Sequence, residues 1–129
     1  MAVRPSQLET EAGRMVQISR EWQKSIVQRY PGQFSRLSSF DVLKGWSVIL
    51  MEVCHRVDIA LTEDERPEFA WSDIKEKWGA LRMTHNGSDA VDEIVDWAEE
   101  LSLLTCDCCG RPGRLVREGW WATRCGRCG

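Results

Sequence analysis

Four cysteines near the end of this 129-residue chain have the spacing of a metal site. They form two Cys-x2-Cys pairs separated by fifteen residues, and they are Cys106, Cys109, Cys125 and Cys128. Two such pairs are typical of a structural zinc site, in which four thiolates surround the ion as a tetrahedron. A glycine follows each pair and lets the chain turn away without a side-chain clash. We therefore predict a structural Zn²⁺ ion held by these four residues.

Two further residues are alternative ligands. Cys108 is a fifth thiol in the same segment and can replace Cys106 or Cys109, although only Cys106-x2-Cys109-Gly110 mirrors the second pair. His85 is the other alternative. Cysteines also hold iron–sulfur clusters, but two separated pairs around a hairpin fit zinc better. A site with four protein ligands has no open position for water, which argues against a catalytic metal.

The residues between the two pairs predict a short hairpin and a contact surface. Residues 114–117 and 120–124 read as two strands joined near Glu118-Gly119, which gives a zinc-ribbon-like module. Five arginines against two acidic residues give residues 106–129 a formal charge of +3. Four thiolates around Zn²⁺ contribute −2, so the loaded segment is nearer +1. The candidate binding residues are Arg114, Arg117, Trp120, Trp121 and Arg124.

Three helices are predicted before this segment. The first spans 6–30, starts with a Ser6/Glu9 capping box and ends at Pro31. The second spans 41–61 and has a broad apolar face on which Cys54 is a core residue. His55 is adjacent to it, and adjacent helical residues do not face one another, so the two are poorly placed as a catalytic pair. The third spans 90–104 and has an acidic outer face.

The stretch between the second and third helices is less regular. Residues 62–68 read as an acidic loop. Ile74 and Trp78 are four apart, which favours a helical turn over 73–78 that Gly79 ends in a positive-φ conformation. A strand over 80–85 follows, and it can extend the edge of the C-terminal hairpin. Asn86-Gly87 then predicts a tight turn.

Together these elements predict an α+β fold in one domain, 1–129. Residues 1–105 form the mainly helical part, and residues 106–129 form the zinc-ribbon-like segment packed on it. The net charge of −3 differs from the strongly basic composition of a dedicated nucleic-acid binder. No apolar run has membrane-spanning length, and the N-terminus does not read as a signal peptide. We therefore expect a cytoplasmic protein with reduced cysteines.

The region 71–129 also resembles a known family by an ordered set of motifs. They are Ile74-Lys75-Glu76-Lys77-Trp78-Gly79-x-Leu81-Arg82, Ala98-Glu99-x2-Ser102, Cys106-x2-Cys109-Gly110-x-Pro112-Gly113, Trp120-x2-Thr123 and Cys125-x2-Cys128. This set is similar to small, mostly uncharacterised proteins encoded by phages and prophages. The chain departs from the family at Trp78, where phenylalanine is expected, and at Cys108, which is extra. The resemblance implies a mobile-element origin and a bacterial host cytoplasm, but no reaction.

Two functions are favoured by these observations. The first is a non-enzymatic phage accessory protein that binds a host protein, for example to inhibit a defence system as anti-CRISPR proteins do. The second is a zinc ribbon that binds nucleic acid through its arginines and tryptophans, in regulation. An enzyme is disfavoured because the chain has two histidines and lacks a nucleophile elbow, a P-loop and a zinc-protease or zinc-deaminase motif.

Overall fold

The computed structural model describes residues 21–129, and it confirms the α+β class. Residues 21–29 form helix α1; the rest of the predicted first helix, with its Ser6/Glu9 capping box, lies outside the described residues. The elements that follow are α2 (Ser47–Ala60), β1 (Trp71–Lys77), β2 (Ala80–His85), α3 (Asp89–Ser102), β3 (Arg114–Val116) and β4 (Ala122–Arg124). Strand β1 pairs antiparallel with β2, and β3 pairs antiparallel with β4, in two separate two-stranded sheets.

The helical turn predicted over 73–78 is wrong, because these residues belong to strand β1 and its turn. The register shifts between Trp71 and Asp73, and this β-bulge places both Trp71 and Ile74 in the core. The four-residue spacing of Ile74 and Trp78 does not mark a helical face, because Trp78 is exposed in the turn that follows β1. Gly79 does have the predicted positive φ, 83°, but it serves the two-residue turn between β1 and β2 instead of a helix end.

The second helix starts later than predicted. A short 3-10 helix, Lys44–Trp46, leads into α2, and Asp41 instead forms an isolated parallel bridge with Lys75 of β1. The backbone of Asp41 accepts from and donates to β1, through Glu76 N–H and Ile74 C=O. This bridge holds the chain in an extended conformation just before α2, which an earlier start to the helix would break.

The core lies between α2, α3 and the inner face of the β1–β2 sheet. Its largest fully buried side chains include Trp46, Trp71, Leu50, Ile74 and Leu81. Cys54 is also fully buried there, as predicted, and burial raises the pKa of its thiol to about 12. His55 is exposed, with Nδ1 3.4 Å from the Tyr30 hydroxyl. The two side chains therefore share no site.

Strand β2 matches its predicted bounds but does not extend the C-terminal hairpin, since it pairs with β1 alone. Helix α3 packs against both β2 and α2. It ends two residues before the predicted position, and Ser102 uses its hydroxyl to accept from Leu81 N–H and donate to Glu99 C=O. Among residues 21–129, no helix has the length and apolar character needed to cross a bilayer.

Candidate metal centre

The four predicted ligands lie together and can hold a metal ion. The sulfur atoms of Cys106, Cys109, Cys125 and Cys128 all lie within 4.8 Å of one another. The sulfurs of Cys109 and Cys125, one from each pair, are 3.6 Å apart. A tetrahedral ion with metal–sulfur bonds of about 2.3 Å requires sulfurs about 3.8 Å apart. The arrangement therefore fits one tetrahedral ion, and we call these four residues the cysteine cluster.

Each half of the cluster is a tight turn closed in the same way. Gly110 N–H donates to Cys106 C=O over 2.9 Å, and Gly129 N–H donates to Cys125 C=O over 3.0 Å. Gly110 has a φ of 80°, which favours glycine. Its missing side chain also permits close packing, since an added Cβ would lie 3.1 Å from Gly45 O. The same backbone bond closes both turns, and glycine is required by conformation at Gly110.

The backbone of these turns stabilises thiolates. Backbone N–H groups of Arg127 and Cys128 donate to the sulfur of Cys125 and lower its pKa to about 6. Burial raises the pKa of Cys106, but three backbone N–H donors outweigh it, so the net shift is downward. Hydrogen bonds between sulfurs raise the pKa of Cys128; the bond with Cys108 has the largest effect and the bond with Cys125 the next largest. The pKa of Cys109 is raised as well, so two of the four thiols resist ionisation, and a bound cation would favour the thiolate at both.

Asp107 fixes the cluster to the rest of the protein. It is 4% exposed, and its carboxylate forms an ion pair with Arg124 at 3.1 Å. Its backbone N–H donates to Thr123 C=O over 2.9 Å, and its C=O accepts from Gly45 N–H over 2.8 Å. Trp46, fully buried beside Gly45, donates its indole N–H to Thr105 C=O. We call residues 106–129 the cysteine segment. It is therefore bonded directly to the 3-10 helix that precedes α2.

The two alternative ligands are placed outside the cluster. Cys108 is exposed and is not one of the four residues whose sulfurs lie within 4.8 Å of one another, although it hydrogen-bonds to Cys128. His85 lies at the far end of β2, where Nε2 is 2.8 Å from Asp92 Oδ1 and Nδ1 accepts from Gly87 N–H. Because both of its ring nitrogens have partners there, the structure does not support His85 as a metal ligand.

Three tryptophans form a surface where the β1–β2 turn meets the β3–β4 hairpin. We call Trp78, Trp120 and Trp121 the tryptophan patch. Trp120 is 83% exposed and Trp78 is 65% exposed. The rings of Trp78 and Trp121 meet edge to face with centroids 5.6 Å apart. The patch lines a groove of about 370 Å³ together with Glu76, Lys77 and Gly119. It joins the turn of one sheet to the hairpin of the other.

Trp78 is held in an unusual backbone conformation. It occupies the first position of the β1–β2 turn with a φ of 55°, the only positive φ of a non-glycine residue within 21–129. Such turns favour Asn-Gly, and a bulky residue there is strained. Strain of this kind often marks functional positions. Trp120 and Trp121 were predicted as binding residues and Trp78 was not; a tryptophan directly before a turn glycine was the available signal.

The three candidate arginines have different roles. Arg124 is tied to Asp107, so its guanidinium serves the structure of the cysteine segment. Arg117 lies over the ring of Trp121, 5.1 Å from the centroid, which makes it part of the patch surface. Arg114 is exposed on β3 and pairs across the hairpin with Arg124. Arg114 and Arg117 are therefore available to a partner, whereas the guanidinium of Arg124 is already paired within the protein.

Helix α3 carries the acidic face that the sequence predicted. Its carboxylates are Asp89, Asp92, Glu93, Asp96, Glu99 and Glu100. Two of them have partners in β2, since Glu99 forms an ion pair with Arg82 and Asp92 contacts His85. This face is polar and solvated, whereas the tryptophan patch exposes apolar rings, so the patch is the stronger candidate contact surface.

Comparisons of the chain with protein-family models, with curated proteins and with solved structures found no match.

Proposed function

We propose that this chain is a non-enzymatic, zinc-stabilised phage or prophage accessory protein of the bacterial cytoplasm that binds a host protein through its tryptophan patch. The observation that carries the proposal is the exposure of Trp78 and Trp120 where the two hairpins meet. Large aromatic rings are costly to expose and are the commonest anchors of protein interfaces. A defence protein of the host is the class of partner that the resemblance to phage proteins favours.

Zinc is the metal we assign to the cysteine cluster, which with β3 and β4 forms the proposed zinc ribbon. Four thiolates in a tetrahedron select zinc over hard cations that prefer oxygen. All four positions are filled by protein, so the ion stabilises the fold and has no site for substrate. Purified protein should contain one zinc per chain. Replacement by Co²⁺ should give the thiolate charge-transfer and d–d bands of a tetrahedral site; octahedral bands would contradict the assignment.

The binding part of the proposal is tested by affinity capture from bacterial lysate, with and without nuclease. Trp120→Ala removes the most exposed ring of the patch, and Ile59→Ala is the matched control because Ile59 is 70% exposed on α2, outside the patch. A nuclease-resistant partner that Ile59→Ala retains and Trp120→Ala loses is the expected result. Equal capture by both variants would exclude the patch as the contact surface.

Nucleic acid is the alternative partner, and the exposure of Arg114 on the same hairpin as Trp120 and Trp121 favours it. Binding through phosphates would weaken steeply with salt, because each neutralised phosphate releases counterions. Arg114→Ala would then lower affinity for single strands and reduce the salt dependence. Against nucleic acid, the guanidinium of Arg124 is already paired with Asp107, and the groove lining contains Glu76 opposite Lys77.

A further inference from the structure

The size of the tryptophan patch sets the kind of partner that it can take. Trp120 and Trp78 are largely exposed and Trp121 is half-buried, so the three rings offer roughly 400 Å² of accessible surface. A stable contact between two globular proteins buries about 800 Å² on each partner. The patch is therefore about half the size that a folded domain needs, and it suits a short linear segment.

The charges around the groove argue against a polyanion. The charged side chains that line the groove are one basic residue, Lys77, and one acidic residue, Glu76. These two opposite charges leave no net charge in the lining to attract phosphates. The carboxylate of Glu76 also accepts from Gly79 N–H over 2.6 Å, so it is fixed at the edge of the groove. An uncharged segment matches this balance better than a nucleic-acid strand does.

The hydrogen-bonding state of the indoles indicates what the segment must offer. Within residues 21–129, the indole N–H groups of Trp46 and Trp71 donate to protein acceptors, whereas those of Trp22, Trp97 and the three patch tryptophans do not. A ligand that covers the patch would have to replace water as the acceptor for its indole N–H groups. A bound segment should therefore present free acceptors together with flat apolar surfaces. The polyproline II conformation does so, because it has no internal hydrogen bonds and its carbonyls point outward.

We propose that the tryptophan patch binds a proline-rich segment of another protein in the polyproline II conformation. Pyrrolidine rings stack on the exposed rings of Trp78 and Trp120, and Trp121, which Arg117 partly covers, forms another wall of the groove. Indole N–H groups donate to the segment's carbonyls, the general mode by which aromatic grooves recognise such segments. The segment is already extended before binding, so little conformational entropy is lost. This inference rests on the proposed function that the patch binds a protein.

The strain at Trp78 supports this role. The turn would form more easily with Asn at this position, yet a tryptophan is held there at a φ of 55°. The hydroxyl of Thr123 donates to Gly79 C=O over 2.7 Å and fixes the turn to β4. The ring of Trp78 is thereby presented rigidly against Trp121. A ring that is already held in place loses little conformational entropy when a ligand stacks on it.

The test uses the full zinc-loaded chain and a fluorescein-labelled oligoproline of about ten residues, roughly 30 Å long. Fluorescence anisotropy is measured with this probe, with a glycine–serine peptide of equal length and with single-stranded oligo(dT). Oligoproline should bind at least tenfold more tightly than the other two, and Trp120→Ala should weaken it about tenfold. Ile59→Ala, with an equally intact fold by circular dichroism, should bind as the unaltered protein does.

Three results would overturn the inference. They are no preference for oligoproline over the glycine–serine peptide, equal binding by Trp120→Ala, and salt-sensitive binding of oligo(dT) alone. If lysate capture still depends on Trp120 while oligoproline fails, the patch binds a protein of another kind, and only this inference falls. If both fail, the proposed function falls as well.

Discussion

Replacement of Gly45 by alanine should separate the cysteine segment from the helical part of the protein. An added Cβ would lie 2.3 Å from Asp107 C and Cys106 O, and 2.4 Å from Asp107 O. Non-bonded carbon atoms keep about 3.5 Å or more from such neighbours. All three contacts are backbone atoms, so no side chain can rotate away, and the two segments must move apart by about 1 Å.

Two effects lower the free energy of unfolding of the Gly45→Ala variant. Forced overpacking of a buried site costs about 1–3 kcal/mol. The movement also breaks the 2.8 Å bond from Gly45 N–H to Asp107 C=O, and an unpaired buried backbone group costs about 1–3 kcal/mol. The sum is about 4 kcal/mol, a large part of the roughly 5–15 kcal/mol by which a domain is stable. For a chain of this length Tm should fall by roughly 10–20 °C.

Differential scanning calorimetry of the zinc-loaded proteins measures the effect, with Gly126→Ala as the matched control. Gly126 lies within the second cysteine turn, and an added Cβ there meets nothing within 4 Å. The control should be as stable as the unaltered chain or slightly more, since alanine restricts the unfolded state. A free-energy loss below about 1 kcal/mol for Gly45→Ala would refute the close approach of the 3-10 helix to Asp107.

Three further predictions concern the metal, the thiols and the turn. Cys125→Ser should abolish stoichiometric zinc and lower Tm, because metal binding is coupled to folding, whereas Cys108→Ser should keep both; retained zinc in Cys125→Ser, measured by elemental analysis, would contradict the ligand set. The zinc-loaded protein should have one thiol that reacts rapidly with a disulfide reagent, Cys108, because burial raises the pKa of Cys54 to about 12; rapid reaction that persists in Cys108→Ser would disprove this. Trp78→Asn relieves about 1–2 kcal/mol of left-handed strain and loses an aromatic pair worth about 1 kcal/mol, so urea unfolding should show little net change. In a Trp121→Ala background the same substitution should stabilise by about 1 kcal/mol, and a loss of stability in both backgrounds would remove the strain argument.

Local spacing was sufficient to predict the elements whose signals are short-range. The cysteine pairs, strand β2 and helix α3 all depend on residues within a few positions of one another. Strand β1 was missed because Ile74 and Trp78 are four residues apart, a spacing that sequence periodicity cannot distinguish from a helical face. Ile74 is buried in the core, whereas Trp78 is exposed in the turn after β1, so the two do not share a face.

The remaining features depend on contacts between distant segments. The late start of α2 follows from the bridge between Asp41 and Lys75, and nothing near Asp41 in the sequence indicates it. The tryptophan patch combines Trp78 with residues more than forty positions later, and it exists because Thr123 bonds to Gly79. Pairings of this range are set by tertiary packing, which propensity and spacing do not report.

The bond from Gly45 to Asp107 also gives access to motions of the native state. The amide proton of Gly45 is held by a carbonyl of the cysteine segment and not by its own helix. It can exchange with solvent deuterium only when that segment detaches, even if α2 and the sheet remain folded. Exchange at this one amide, set against exchange of the α2 core amides, would therefore measure the free energy of a partial opening separately from that of global unfolding.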